Sequence, residues 1–163
     1  MTAAPLSSAA LRPYAAVPCG AMGSDPAGRL RRDAAEALRP YPVQFAYLFG
    51  SRAEGRARKD SDVDVAVLLL NGIAEPEAGR IASRCAGALS AAAEMGGIQV
   101  TVLNHAPLRF VGRVLRQRIV IYSRDEPARV AYESLLGRMA DDVEIWAAPM
   151  DRALIAAIAA GRR

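Results

Sequence analysis

Two aspartates separated by one residue, Asp62 and Asp64, stand where a polar loop meets the apolar run VDVAVLLL. Side chains alternate between the two faces of a β-strand, so both carboxylates point the same way, about 6–7 Å apart along the strand. The valines between and after them point into a core. Because two like charges on one face raise the pKa of one carboxyl, a cation is the natural compensation. This spacing predicts a magnesium site, since Mg²⁺ takes one or two carboxylates together with substrate phosphates.

A second polar element, Gly50-Ser51, follows the apolar run that ends at Phe49, and ten residues separate Ser51 from Asp62. A tight turn and a short helix after it, expected over 52–55, would direct backbone N–H groups and the Ser51 hydroxyl at an anion. The loop adds four basic residues that could neutralise a triphosphate: Arg52, Arg56, Arg58 and Lys59. Phosphate donors facing metal-binding acids describe a site for nucleoside-triphosphate transfer. An isolated Asp-x-Asp pair is more often an exposed acidic turn at a strand entrance, and it is the combination with the Gly-Ser turn, the ten-residue spacing and the two apolar strands that favours the nucleotide site.

Hydrophobic periodicity predicts the elements that position these groups. Helices are expected over 26–39, 75–95, 107–118 and 125–146, and strands over 44–49, 63–70, 98–103 and 119–122. Pro149 is expected to end the last helix, because proline lacks the N–H that an interior helical position donates. We therefore predict a flexible extension over 1–25, one domain over 26–147, and a tail with helical propensity over 148–163.

Composition narrows the class of protein. The chain has 163 residues, 52% of them hydrophobic, a mean hydropathy of +0.10 and a formal charge of +4. That content is enough for a core, and no apolar run reaches the roughly 18–20 residues of a membrane span. The two cysteines make no disulfide framework, and no charged n-region precedes a long apolar segment. We expect a cytoplasmic protein without a zinc site or a membrane anchor.

The string GSRAEGRARKDSDVDVAVLL resembles the G-S-x10-D-x-D signature of the DNA polymerase β-like nucleotidyltransferases, above all the minimal nucleotidyltransferase (MNT) antitoxins. A second string, IQVTVLNHAPLRFVGRVLRQRIVIYSRDEPARVAYESLLGRM, resembles the downstream half of those antitoxins. Together the likeness covers roughly residues 43–142. It implies an α/β (α+β) fold in which a small mixed sheet is flanked by helices.

The resemblance also implies an activity and a partner. In that family AMP passes from ATP, with Mg²⁺, to a tyrosine of a HEPN ribonuclease toxin, which would make this chain part of a hetero-oligomer. Gly50 and Ser51 match the phosphate-binding turn, and Asp62 and Asp64 match the metal-binding carboxylates. Arg52 and Arg58 are further candidates for contact with the nucleotide.

One position departs from the family pattern. Members carry a third catalytic acid on the third strand, whereas the string IQVTVLN places Gln99 there. A glutamine has no charge and cannot act as a general base. Two other functions therefore stay open: a weakened member that neutralises its toxin by binding, and nucleotidyl transfer to a small molecule or, less expected, a nucleic acid. The chain is short for transfer to either of these acceptors, since the sequence indicates no separate substrate-binding domain.

Overall fold

The computed structural model describes residues 26–58 and 61–161, in which five helices surround a four-stranded sheet. The chain order is α1 (Pro26–Leu38), β1 (Val43–Phe49), α2 (Gly50–Ala53), β2 (Val63–Leu69), α3 (Glu75–Ala93), β3 (Ile98–Val102), α4 (Leu108–Gln117), β4 (Ile119–Ser123) and α5 (Glu126–Ala159). The predicted fold class, a small mixed sheet flanked by helices, is confirmed. The predicted extension over 1–25 lies outside the described residues, so it stays a prediction, as do the domain boundaries.

The sheet has the strand order β3-β2-β1-β4, with β1 antiparallel to both neighbours and β3 parallel to β2. This arrangement gathers the carboxyl end of β1 and the amino ends of β2 and β3 at one edge of the sheet. In the register of the sheet, Asp64 pairs with Phe49 of β1 on one side and with Gln99 of β3 on the other. Three segments far apart in sequence are thereby brought to one place.

Each face of the sheet carries its own hydrophobic core. One core contains Val63, Val65 and Val67 of β2 and is covered by α1 and α3. The opposite core contains Ala66 and Leu68 of β2 and is covered by α4 and the first turns of α5. Since side chains alternate along the strand, Asp64 lies on the face that α4 covers. The predicted division of β2 into a valine face and a carboxylate face is confirmed.

The last helix differs from its prediction. α5 continues through Pro149 to Ala159, so the expectation that this proline ends the helix is wrong. A proline inside a helix costs roughly 3 kcal/mol, because one backbone hydrogen bond is lost. Here Arg109 of α4 donates to Glu144 and to Asp151, one on either side of the proline, and thereby holds both halves of the helix. The alanine-rich sequence beyond Pro149 also has high helix propensity.

The remaining elements begin and end within two residues of their predicted limits. α2 begins at Gly50 and not at Arg52, so Gly50 and Ser51 are its first residues. α3 ends at Ala93, and Glu94 after it takes the left-handed conformation. Within the described part of the chain, no helix is both long and apolar enough to span a bilayer.

Candidate active site

The two aspartates lie where the sheet order predicts, at the amino end of β2. Asp62 precedes the strand and is exposed, whereas Asp64 is the second residue of the strand and is half-buried. Ser51 stands half-buried in the first turn of α2, at the end of the neighbouring strand. The acid pair and the Gly-Ser turn, both predicted from the sequence, therefore lie together at one edge of the sheet.

Gly50 is the residue that allows the turn and the acids to approach closely. Its φ is +72°, a conformation that L-residues adopt only with strain. A Cβ placed on Gly50 would lie 2.6 Å from Oδ2 of Asp64, closer than real Cβ contacts come. The glycine is thus required twice, once for its backbone angle and once because the Asp64 carboxylate occupies the space where a side chain would be.

Electrostatics at the acids agrees with a cation-binding site. The pKa of Asp64 is raised from its ordinary value, first because the carboxyl is partly buried and second because the charge of Asp62 is near. A divalent cation would reverse both effects, since it stabilises the ionised form of each carboxyl.

Gln99 occupies the position where the family pattern calls for a third acid. It is the register partner of Asp64, and its Nε2 donates a hydrogen bond of 3.0 Å to Oδ2 of Asp62. The amide therefore takes up one acceptor site of the carboxylate pair and offers no negative charge of its own. Gln99 therefore lies beside the acid pair as a hydrogen-bond donor, and its catalytic role stays a prediction.

Arg52 makes contacts that sequence reasoning did not foresee. Its Nε donates to the backbone carbonyl oxygens of Ser61 and Asp62, at 3.1 and 3.3 Å, and a second guanidinium nitrogen also donates to Ser61. These bonds fasten α2 to the chain just before β2. No local pattern signals them, because acceptor carbonyls nine and ten residues away become neighbours only in the folded chain.

The other charged residues of the loop differ in whether their side chains have a partner. Arg56 forms an ion pair with Glu54, and Glu54 also accepts a hydrogen bond of 2.9 Å from Gln117 of α4. The backbone N–H of Arg58 donates to the Ser61 hydroxyl, while the Arg58 side chain is exposed. The nucleotide role predicted for Arg58 stays a prediction.

The acids fit a metal ion that is shared with a substrate better than one held by protein alone. Among the described residues, no group of three or more His, Cys, Asp or Glu side chains could hold a metal. Two carboxylates are nonetheless what Mg²⁺ needs when substrate phosphates and water complete its shell. The Asp64 carboxylate accepts no hydrogen bond from Gln99, whereas Oδ2 of Asp62 does.

The fold and the geometry of the site define the class of protein: two acids at the start of β2 lie next to a Gly-Ser turn at the end of β1. The chain belongs to the family Polymerase beta, Nucleotidyltransferase, whose profile matches residues 33–127. This finding confirms the superfamily expected from the resemblance. Curated protein sequences yield no match to the chain.

Solved structures with the same fold come from toxin–antitoxin complexes. A chain of a toxin–antitoxin complex with AMP-PNP aligns with a TM-score of 0.58 and 19% identity, over 78% of this chain and 97% of that one. A complex of tri-AMPylated Shewanella oneidensis HEPN toxin with MNT antitoxin aligns with a TM-score of 0.56 and 16% identity, over 77% and 96%. The toxin–antitoxin pair MntA-HepT gives the same TM-score and identity, over 77% and 97%. At these identities the likeness establishes a shared fold.

Proposed function

We propose that this chain is an MNT-type nucleotidyltransferase, the antitoxin of a HEPN toxin, and that it passes AMP from ATP to a tyrosine hydroxyl of that toxin. The observation that carries the proposal is the approach of the Asp64 carboxylate to Gly50, the first residue of the phosphate-binding turn. Because the two lie this close, Asp62 and Asp64 would hold a cation next to the turn, where it would supply charge neutralisation for the phosphates of a nucleotide. The fold shared with chains of toxin–antitoxin complexes supports the assignment of the partner.

The proposed roles follow from the geometry. Gly50 and Ser51 bind the triphosphate, and Asp62 and Asp64 hold Mg²⁺. The tyrosine oxygen attacks the α-phosphorus, the bond from that phosphorus to the bridging oxygen of the β-phosphate breaks, and pyrophosphate leaves. When bound, Mg²⁺ neutralises the charge that develops on the phosphates. Arg52 acts through the backbone, because its guanidinium holds the carbonyls of Ser61 and Asp62 and so fixes the start of the acid strand.

A second function, neutralisation of the toxin by binding without efficient transfer, is favoured by Gln99. The proton of the attacking hydroxyl needs an acceptor, and an amide whose N–H donates to Asp62 cannot be one. Loss of a general base typically lowers a rate by two to four orders of magnitude. Slow transfer with intact nucleotide binding is therefore the expected behaviour of the wild-type chain.

Calorimetry with ATP, with and without Mg²⁺, tests the binding part of the proposal. Wild type should bind ATP more tightly with Mg²⁺ than without it. The double variant Asp62→Ala/Asp64→Ala should lose that difference, because it lacks both ligands. Equal binding by the two proteins would remove these acids from the metal site.

Transfer of labelled AMP to the partner toxin tests the chemistry. We expect slow transfer by wild type, none by Asp64→Asn, and an increase of roughly tenfold or more in Gln99→Asp, which restores a proton acceptor beside Asp64. The gain is below the full cost of base loss, since a restored carboxylate lacks its supporting contacts. Rapid wild-type transfer that Gln99→Asp leaves unchanged would mean that the base lies elsewhere and that the chain is an ordinary active member.

A further inference from the structure

Positive charge near the proposed phosphate site is scarcer in the folded chain than in the sequence. The guanidinium of Arg52 donates to backbone carbonyl oxygens, and Arg56 forms an ion pair with Glu54. Only the exposed side chain of Arg58 remains from the described part of the loop. ATP carries a strongly negative triphosphate, so a further cation is expected from another element.

Helix α4 carries three arginines on its outer side, and their contacts differ. Arg109 is paired with Glu144 and Asp151, and Arg116 is paired with Asp141, so both tie α4 to α5. Arg113 lies between them and is exposed. Its guanidinium carbon stands 5.6 Å from the centre of the Phe110 ring, and within residues 26–58 and 61–161 it has no carboxylate partner.

The residues one turn before and one turn after Arg113 contact the two elements that carry the site. One turn before it, the Phe110 ring packs edge-to-face on Phe49, with centroids 5.8 Å apart, and Phe49 is the register partner of Asp64. One turn after it, Gln117 bonds to Glu54 at the end of α2. Arg113 thus stands between the residue beside Asp64 and the helix that begins with Gly50-Ser51.

We propose that Arg113 binds the triphosphate of the nucleotide, taking the role that the sequence had suggested for Arg52. This inference rests on the proposed nucleotide transfer. The Phe110 ring supports the flat face of the guanidinium, which leaves the N–H groups in its plane free to form paired hydrogen bonds with phosphate oxygens. Stacking on the ring also limits the motion of a long side chain, so less freedom is lost on binding.

Calorimetry of the full chain with ATP·Mg²⁺ and with AMP tests the inference. Arg113→Gln should weaken ATP binding about tenfold or more, because a charged pair of hydrogen bonds is lost. AMP, which lacks the β- and γ-phosphates, should bind with an affinity changed less than about twofold. Arg116→Gln is the matched control. It removes the same charge one turn after Arg113, but from a side chain that is already paired with Asp141. Thermal unfolding verifies that both variants fold.

The outcomes separate the inference from the function on which it rests. If Arg113→Gln binds ATP·Mg²⁺ as tightly as wild type does, the role of Arg113 is overturned, whereas the proposed nucleotide site is not. An equal loss in Arg113→Gln and Arg116→Gln, or an equal loss for ATP and AMP, would also overturn it, because the effect would then be general charge or contact with the nucleoside. A wild-type chain that binds no ATP would overturn the proposed transfer itself.

Discussion

At the scale of single residues, Gly50 and Gln99 decide what the acid pair can do. The glycine lets Asp64 approach the turn that we propose to bind phosphate, and Gln99 donates a hydrogen bond to Asp62. A chain can thus keep the geometry for holding a nucleotide while losing the group that accepts a proton. This combination is what an antitoxin needs if occupancy of the toxin matters more than turnover.

Gly50→Ala tests the close approach, with Gly55→Ala as its matched control. Both glycines have a positive φ, +72° and +69°, so the backbone cost of alanine should be about 1–2 kcal/mol at either position, and any further loss of stability in Gly50→Ala would come from the contact with Asp64. Only the Gly50 methyl would meet a neighbour, the Asp64 carboxylate, because nothing lies within 4 Å of a Cβ on Gly55. We expect calorimetry to show loss of ATP·Mg²⁺ binding in Gly50→Ala alone. Equal binding by the two variants would mean that the contact with Asp64 has no part in the site.

At the scale of elements, α4 connects the site to the long helix α5. Its apolar residues cover the face of the sheet that bears Asp64, and its polar residues reach Glu54 on one side and α5 on the other. The two helices pack tightly where Gly112 of α4 meets Ala140, the one residue in the helical body of α5 that is fully buried. Close packing at a glycine means that the distance between the helices depends on the absence of a side chain.

Gly112→Ala and Gly137→Ala should change stability in opposite directions. A methyl on Gly112 would overlap that of Ala140, so overpacking should lower the free energy of unfolding by about 1–3 kcal/mol. Gly137 also lies inside a helix, but a methyl there meets nothing within 4 Å. Alanine at that position should raise the free energy of unfolding by about 0.4–1 kcal/mol, because the unfolded chain loses freedom. Chemical denaturation measures both, and a stabilised Gly112→Ala would show that α4 and α5 move apart easily.

At the scale of the whole molecule, the far half of α5 presents an apolar stripe. Its members recur three or four residues apart and are exposed: Met139, Val143, Trp146, Met150, Leu154 and Ile158. Trp146 is 76% exposed, which favours a partner surface over a role in the core of this chain.

We expect a helix of the partner toxin to cover this stripe. The spacing matches the way one amphipathic helix packs against another, and the fold is shared with chains of toxin–antitoxin complexes. Trp146→Ser/Ile158→Ser should therefore abolish co-purification with the co-expressed toxin. Leu70→Ser is the control, since Leu70 is also exposed but lies after β2. Unchanged co-purification of the double variant, or a wild-type chain that elutes alone as a monomer, would contradict this surface.

The sequence by itself determined the strands, most helix limits and the identity of the acid pair. These features follow from local rules: alternation along β2, helical periodicity, and residue types whose spacing has few other uses.

Only the tertiary structure decided which groups meet. The bond from Gln99 to Asp62, the use of Arg52 on backbone carbonyls and the packing of Phe110 on Phe49 all join residues from different elements. The continuation of α5 through Pro149 is of the same kind, because the contacts of Arg109 on both sides of the proline oppose its local preference. Local sequence records the preferences of a segment, whereas the hydrogen bonds and ion pairs that override or complete them depend on neighbours that the fold alone supplies.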